Sequence, residues 1–228
     1  MKVTYYGHAC FSVLVKNRTL LFDPFITGNP LAKTIDVNSV PADFILVSHG
    51  HGDHVADAVA IAKRTNALVI ANFEIVNWLS RQGAPRVHPL NQGGGFAFDF
   101  GRAKLVNAVH SSTMPDGTYG GNPGGFVVES PDGSFYYSGD TALTLDMKLI
   151  GESTRLKFAA LCIGDNFTMG PDDALRAVKL IQPGHVIPIH YSTWDLIAQN
   201  PISWAQRVQA ETKSEVHVLK PGESFTLA

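Results

Sequence analysis

Apolar runs of strand length follow one another in the first quarter of the chain. Residues 2–6, 10–16 and 19–23 are rich in Val, Tyr, Phe and Leu, and Asn17-Arg18 separates the last two runs. This pattern predicts a small antiparallel meander. The next apolar run, residues 44–48, is bounded by turn residues and predicts a buried strand, which a glycine-spaced loop follows.

Helical spacing of apolar residues alternates with short apolar runs in the rest of the chain. The pattern predicts helices over residues 55–64, 73–82, 171–182 and 201–212, the last one capped by Asn200-Pro201. It predicts further strands over residues 68–71, 104–109, 125–129, 134–138, 158–163, 186–189, 215–219 and 224–227. Val87 and His88 are expected to begin further short strands.

The second half of this pattern loosely repeats the first. Strands flanked by helices in both halves favour two sheets packed face to face with helices outside. We therefore expect an α/β fold, a four-layer αββα sandwich of two mixed sheets with outer helices. We expect residues 1–228 to form a single domain built from two similar halves. Residues 26–43, rich in turn formers, predict a long surface loop that can wall a pocket.

Composition narrows the classes of function. Hydrophobic residues make up 45% of the chain, charged residues 17%, and the formal net charge is -2, which is typical of a compact enzyme. Lys and Arg are scattered, so we expect no nucleic-acid partner. The start of the chain has no signal-like apolar stretch and no segment has the length of a membrane span, so a cytoplasmic protein without membrane contact is expected. Cys10 and Cys162 lie in apolar runs and are interpreted as buried thiols, a disulfide being the less favoured alternative.

The strongest chemical signal is the segment His49-Gly50-His51-Gly52-Asp53-His54. Imidazole and carboxylate groups suit Zn, Fe, Mn or Ni, and the lack of thiols argues against a closed structural zinc site. The alternative is a solvated polar loop. Two ligands from this segment do not complete the coordination of one ion, so other parts of the chain must contribute ligands. Three residues near predicted strand ends are candidates: His110, Asp140 and His190. Asp23, also at a strand end, either supports a ligand histidine through a hydrogen bond or caps the strand.

This ordered set resembles the metallo-β-lactamase superfamily. Four further segments are similar to bacterial metal-dependent hydrolases related to L-ascorbate-6-phosphate lactonase: Tyr6-Gly7-His8-Ala9, Phe22-Asp23-Pro24-Phe25, Thr168-Met169-Gly170-Pro171 and Ile189-His190-Tyr191. The resemblance implies two divalent metal ions, with zinc favoured over Mn, Fe or Ni. It implies that one ion is held by His49, His51 and His110, that the second is held by Asp53, His54 and His190, and that Asp140 bridges them.

Two such ions favour hydrolysis by a metal-bound hydroxide, because a bound cation lowers the pKa of water toward neutrality. The expected function is a dinuclear metal-dependent hydrolase that cleaves a small, anionic ester-type substrate (a lactone, phosphate ester or thioester). Asp53 is the expected catalytic residue, orienting the hydroxide and taking its proton. Asp140 stands where many true β-lactamases have cysteine, so antibiotic cleavage is not expected. The alternative is a non-hydrolytic metal protein, either an iron redox centre or a small-ligand sensor.

Weaker candidates surround this set. His8, Asn166, Thr168 and Tyr191 are expected to bind substrate, although His8 is equally compatible with a supporting or a core histidine. Residues 113–125 contain five glycines and predict either a loop that closes over the site or a mobile linker. His88, His185 and His217 are interpreted as structural. A homo-oligomer is possible, with Phe25 and Ile26 as contact residues.

Overall fold

The computed structural model describes residues 1–227 as fourteen strands and six α-helices. The strands are β1 (Lys2–Gly7), β2 (Cys10–Val15), β3 (Arg18–Phe22), β4 (Phe44–Leu46), β5 (Leu68–Asn72), β6 (Arg86–Leu90), β7 (Gly95–Phe98), β8 (Gly101–Asn107), β9 (Gly124–Ser130), β10 (Gly133–Tyr137), β11 (Leu156–Cys162), β12 (His185–Ile189), β13 (Glu215–Val216) and β14 (Ser224–Thr226). The helices are α1 (Gly52–Val55), α2 (Ala58–Thr65), α3 (Phe73–Arg81), α4 (Asp146–Ser153), α5 (Pro171–Ile181) and α6 (Pro201–Glu211), with 3-10 turns at Val37–Ser39 and Asp195–Ile197.

The strands form two mixed sheets of seven, in the orders β14-β1-β2-β3-β4-β5-β6 and β13-β12-β11-β10-β9-β8-β7. In the first sheet the pairs up to β2-β3 are antiparallel and the pairs from β3 to β6 are parallel. The second sheet has the same plan, antiparallel from β7 to β10 and parallel from β10 to β13. The carboxyl ends of β3, β4, β10 and β12 therefore lie at one edge of their sheets.

Aromatic side chains fill the space between the sheets. The ring of Phe22 on β3 contacts three rings of the second sheet edge to face, with centroid distances of 5.4 Å to Tyr137, 5.8 Å to Phe135 and 6.3 Å to Phe126. The outer face of the first sheet packs against α2 and α3, and that of the second sheet packs against α4, α5 and α6. The four-layer αββα architecture predicted from the sequence is confirmed.

Helix ends follow the local sequence signals. The side chain of Asn72 accepts a hydrogen bond from the backbone N–H of Ile75 at the start of α3, and Asn200 accepts bonds from two backbone N–H groups of α6. Proline occupies the first turn of α5, where its missing N–H costs no hydrogen bond. Pro89 lies within β6, which is the edge strand of its sheet and therefore tolerates the missing donor.

Several boundaries differ from the prediction. The helix expected over 55–64 is two helices, and α1 already includes Asp53 and His54, which the sequence placed in a loop. Asp57 between them does not cap α2, because its carboxylate instead accepts the backbone N–H groups of Ile26 and Thr27. Helix α4 was not predicted, and the strand expected over 215–219 is limited to two residues.

Burial tests two further expectations. Both cysteines are buried free thiols, as interpreted from the sequence. Phe25 and Ile26, expected to form an oligomer contact, are only 8% and 4% exposed, so they pack within the chain and do not offer a contact surface. Among residues 1–227, none of the helices is both long and apolar enough to cross a bilayer.

Candidate metal centre

His49, His51 and His110 form the first of two ligand groups. His49 and His51 follow β4, and His110 lies beyond the end of β8, so the two sheets contribute to one cluster. The Nε2 atom of His49 is 3.0 Å from Nδ1 of His51, and a ring nitrogen of His110 lies within 4.8 Å of both. Gly50 separates the two histidines where any Cβ atom would lie 2.6 Å from the sulfur of Met114. A larger residue here would require the Met114 side chain and the adjoining backbone to shift.

The second group consists of His8, Asp53, His54 and His190. Asp53 and His54 lie in α1, and His190 follows β12. His8 lies in the turn after β1, and its carbonyl accepts the backbone N–H of His190 at 2.9 Å, which joins the two sheets at this edge. One ligand atom from each residue lies within 4.8 Å of the others. The three residues expected for the second ion are thus together, with His8 as a fourth member.

Asp140 lies between the two groups. It follows β10, and its Oδ2 atom is 2.9 Å from Nε2 of His190 and 3.3 Å from Nε2 of His54 in the second group. The same oxygen is 3.6 Å from Nε2 of His110 and 3.8 Å from Nε2 of His49 in the first group. A carboxylate at this position is within reach of both ligand groups.

A network of hydrogen bonds around Asp23 orients two of the histidines. The Asp23 carboxylate accepts hydrogen bonds from the backbone and hydroxyl of Ser48, from the hydroxyl of Tyr137 and from Nδ1 of His54 at 2.6 Å. Because the Ser48 hydroxyl donates to Asp23, its oxygen accepts from Nδ1 of His49 at 2.9 Å. Both histidines therefore donate from Nδ1 and direct Nε2 to the cluster. Of the two roles left open for Asp23, the structure favours support of ligand histidines.

Burial and neighbouring charges set the protonation of the centre. Burial lowers the pKa of His49, His51 and His110, and neighbouring imidazoles lower it further, so these rings are neutral. Burial raises the pKa of Asp140, but His190 and His54 outweigh it, and the net pKa is well below the usual value. Burial lowers the pKa of His54, but Asp140 and Asp23 outweigh it and raise the pKa well above its ordinary value. Metal binding at Nε2 of His54 therefore releases a proton.

The donor set fits a pair of divalent cations. The Nε2 atom of His54 and the Oδ1 atom of Asp140 are buried without a hydrogen-bond partner, which is costly for polar atoms unless another ligand satisfies them. Bond lengths of about 2.0 to 2.2 Å around zinc place tetrahedral ligand atoms about 3.3 Å apart. The closest spacings here, 2.9 to 3.3 Å, match that value.

Unusual backbone conformations concentrate at the same edge. His8, Asp23 and His190 all have positive φ angles, of 55°, 40° and 53°, although none is glycine. Such conformations cost about 1 to 3 kcal/mol each and persist where the surrounding structure enforces them, as at active sites. At His190, the turn also brings the chain against Gly164, where a Cβ atom would lie 2.2 Å from the His190 carbonyl oxygen.

A cavity of about 360 Å³ opens onto the centre. Its lining residues are His51, Asp53, His110, Ser111, Asp140, Phe167, His190 and Trp194. Phe167 and Trp194 are 52% and 42% exposed, so two aromatic side chains border the opening. A larger surface cavity of about 500 Å³ beside α5 is lined by residues such as Leu143 and Arg176 and has no comparable cluster of metal-capable side chains.

None of the four substrate contacts expected from the sequence lines this cavity. His8 lies behind it, where Nε2 bonds to Asp53 at 3.1 Å and Nδ1 to Thr193 at 2.7 Å. Asn166, Thr168 and Tyr191 do not line it. Tyr191 belongs to the hydrophobic core, where burial raises its pKa to about 12.

Sequence reasoning missed the side chains that do border the cavity or support it. Phe167, Ser111 and Trp194 line it, each within one to four residues of a predicted site residue. Ser48 and Tyr137 lie behind it and donate to Asp23. The signal available for the first three was their position beside predicted ligands or substrate contacts, but only the geometry separates them from their neighbours.

The two loops expected near the pocket are held elsewhere. Residues 26–43 do not line the cavity. Residues 113–125 do not line it either, and hydrogen bonds fix them to the first sheet and α3. Asn72 donates to the carbonyl of Gly120 at 2.7 Å, and Trp78 donates to the Asp116 carboxylate at 2.7 Å. These bonds favour an ordered segment over the lid or the mobile linker.

Comparison with known proteins gives a consistent result. Residues 2–190 match the family model described as a beta-lactamase superfamily domain. Proteins named metal-dependent hydrolases from Flavobacterium johnsoniae and Methylacidiphilum infernorum are 50% and 47% identical over 227 residues, with full coverage of both chains in each case. The structure of Igni18, a novel metallo hydrolase from Ignicoccus hospitalis, superposes with a TM-score of 0.90 at 34% identity, covering 100% of this chain and 99% of that one. A possible metal-dependent hydrolase from Veillonella parvula shares the fold, with a TM-score of 0.81 at 19% identity over 100% of this chain and 99% of that one.

Proposed function

The chain belongs to the beta-lactamase superfamily and is a metal-dependent hydrolase, and we propose that it hydrolyses small ester-type substrates and would use a pair of divalent ions to do so. The observation that supports two ions is the position of Asp140, whose Oδ2 atom lies within 4 Å of ring nitrogens from both histidine groups. His49, His51 and His110 would hold one ion, Asp53, His54 and His190 the other, and Asp140 both.

When bound, such ions lower the pKa of water and polarise a carbonyl or phosphoryl oxygen. Asp53 is the side chain placed to move the proton. It is 26% exposed at the cavity, whereas Asp140 is 2% exposed. Burial raises the pKa of Asp53, but the hydrogen bond from His8 and the neighbouring His54 together outweigh it, so the net pKa lies below the usual value and the carboxylate is ionised at neutral pH. It can accept a proton from attacking water and pass it to the leaving group without storing it.

His8 acts through Asp53. Burial and the neighbouring His190 lower the pKa of His8 to about 4, so its ring is neutral at physiological pH. A neutral ring that accepts from the Thr193 hydroxyl at Nδ1 donates from Nε2 to Asp53. The bond fixes the orientation of the carboxylate. We infer that His8 is a positioning residue, which replaces its expected role as a substrate contact.

Ser111 provides a hydrogen-bond donor among the residues that line the cavity. Since Nδ1 of His51 faces the first ligand group, the proton of this ring lies on Nε2, 3.3 Å from the Ser111 oxygen. Ser111 therefore accepts from His51 and keeps its own hydroxyl proton for a substrate oxygen. A donor in this position can stabilise negative charge that develops on that oxygen.

The cavity lining favours a particular substrate class. Its volume of about 360 Å³ suits a small molecule, and no Lys or Arg side chain is among the lining residues. A phosphate group would find charge complementarity only in the ions, whereas Phe167 and Trp194 offer apolar contact. We therefore place lactones and thioesters with an apolar portion ahead of phosphate esters.

A substrate panel tests this proposal. Zinc- and manganese-loaded protein should hydrolyse a lactone or thioester carrying an apolar group with a higher kcat/KM than any phosphate ester. Trp194→Ala should raise KM about fivefold for the apolar substrate, because an aromatic contact contributes about 1 kcal/mol. Trp78→Phe, a tryptophan bonded to Asp116 outside the cavity, is the matched control. A preference for phosphate esters that Trp194→Ala leaves unchanged would contradict the assignment.

A further inference from the structure

A separate cluster of metal-capable side chains, His185, Glu215 and His217, lies at the free edge of the second sheet, away from the two ligand groups of the main centre. His185 begins β12 and Glu215 begins β13, and the two residues are directly opposite each other in the parallel ladder. His217 follows Glu215 by two positions, and its backbone N–H still bonds to the carbonyl of Val186. Alternate residues of a strand share a face, so all three side chains project from the same face of the sheet.

The donor atoms of these three residues converge. The Nδ1 atom of His185 is 3.1 Å from Nε2 of His217 and 3.4 Å from one carboxylate oxygen of Glu215. The other oxygen of Glu215 is 3.9 Å from Nε2 of His217. Ligand atoms around a tetrahedral zinc ion are about 3.3 Å apart. The distance from His217 to Glu215 exceeds that spacing by about 0.6 Å, and rotation of the exposed Glu215 side chain would bring one oxygen to both rings.

The surroundings hold the cluster together. The ring of His217 stacks on Phe225 of β14, with 4.0 Å between centroids and an angle of 11° between planes. Burial keeps the pKa of His217 below its usual value, so the ring is neutral at physiological pH. The His185 and His217 side chains are 28% and 19% exposed, which leaves the site accessible to an ion from solvent.

The cluster is separate from the main centre. His185 begins β12 and His190 directly follows its other end, five positions farther, which corresponds to about 16 Å along an extended chain. This cluster shares no residue with either ligand group of the main centre. The chain between Glu215 and Phe225 crosses from the second sheet to the first, so an ion here would fasten the end of the chain to β12.

We propose that His185, Glu215 and His217 form a binding site for Zn²⁺. A bound ion would join β12 to the segment that leads into β14. Two imidazoles and one carboxylate are a ligand set that zinc accepts, with a fourth position open to solvent. The adjoining cavity of about 480 Å³ is lined by His185 together with Arg155, Lys157 and Lys213. These cations favour a small anion as the fourth ligand.

Zinc stoichiometry tests the proposal. The full-length protein and its variants are dialysed to equilibrium against a fixed micromolar concentration of free Zn²⁺, and bound zinc per chain is measured by mass spectrometry. His185→Gln and His217→Gln should bind one zinc ion fewer than the unmodified protein. His88→Gln is the matched control, because His88 is also a partly exposed histidine packed on an aromatic ring, 4.4 Å from Phe96, but lies in no group of potential ligands.

Glu215→Gln covers the case in which a histidine variant fails to fold. Its side chain is 63% exposed, so the substitution leaves packing intact and should weaken zinc binding at this site at least tenfold. All three variants should keep ester hydrolysis within twofold of the unmodified protein. Equal zinc content in Glu215→Gln, His88→Gln and the unmodified protein at every Zn²⁺ concentration would overturn the proposal. The test depends only on the difference between proteins and therefore holds whatever number of ions the main centre binds.

Discussion

Two groups of imidazoles and carboxylates lie at opposite ends of β12, and they differ in how the fold supports them. At the main centre, ligand histidines bond onward to Ser48 and Asp23, and Asp140 is 2% exposed. At the sheet edge, the cluster of His185, Glu215 and His217 has one stacked ring behind it, and its carboxylate is 63% exposed. Supporting bonds fix ring orientation and raise ligand basicity. The main centre thus has the support that a catalytic site requires, whereas the edge cluster would serve to attach the end of the chain.

Asp140 provides the strongest test of this contrast. Asp140→Ala should reduce ester hydrolysis by more than about 100-fold, because both ligand groups lose their shared carboxylate. His54→Ala should have a similar effect. Circular dichroism should show that both variants keep their secondary structure. Unchanged turnover in either folded variant would refute the metal centre.

Asp23 tests whether the supporting network matters. Asp23→Asn removes the charge that accepts from His54, Ser48 and Tyr137, and should weaken zinc binding about 10- to 100-fold in competition with a chelator. Asp57→Asn is the control, because Asp57 is also a buried carboxylate that accepts two backbone N–H groups, but away from the ligands. Asp57→Asn should lower the free energy of unfolding and leave the zinc affinity unchanged. Equal zinc affinity in the two variants would assign Asp23 a purely structural role.

The bond from His8 to Asp53 predicts a smaller effect. His8→Gln should lower kcat about tenfold and leave KM nearly unchanged, because the residue orients Asp53 and does not line the cavity. Thr193→Val removes only the hydroxyl that bonds to the far side of the His8 ring and should cost less than His8→Gln. A change in KM with constant kcat would instead indicate a substrate contact.

The smallest effect is expected at the edge cluster, and it concerns stability. Zinc at about 100 times its dissociation constant stabilises a folded chain by about 2.7 kcal/mol. For a chain of this size that amount corresponds to a rise in Tm of about 5 to 10 °C. Glu215→Gln should lose this increment in thermal unfolding while hydrolysis persists. A zinc-induced rise in Tm identical in Glu215→Gln and the unmodified protein would show that the edge cluster adds nothing.

The sequence predicted the site best where metal-capable side chains directly follow a strand that the apolar pattern also predicts. The seven expected metal ligands lie together in two groups with Asp140 between them, because each follows a strand whose carboxyl end faces the same edge. The superfamily and the four-layer fold are confirmed. Helix α4 escaped prediction, since it is eight residues long, contains Gly151 and leaves Leu149 exposed, so its apolar spacing is weak.

The pocket was predicted less well for a different reason. Positive φ angles at His190 and Ser192 turn the chain so sharply that Tyr191 enters the core while Trp194, three residues farther, borders the cavity. A sequence neighbour of a ligand is then not its spatial neighbour. The same limit applies to the edge cluster, because His185 and Glu215 are thirty residues apart (215 minus 185) and meet only through strand pairing.

The most direct test of the central claim is a crystal structure of the metal-loaded protein with anomalous diffraction measured at the absorption edge of the bound metal. A dinuclear centre predicts two peaks about 3.5 to 4 Å apart. One should lie among His49, His51 and His110, the other among Asp53, His54 and His190, with the Asp140 carboxylate between them. A single peak at this edge of the sheets, or two peaks that Asp140 does not contact, would contradict it.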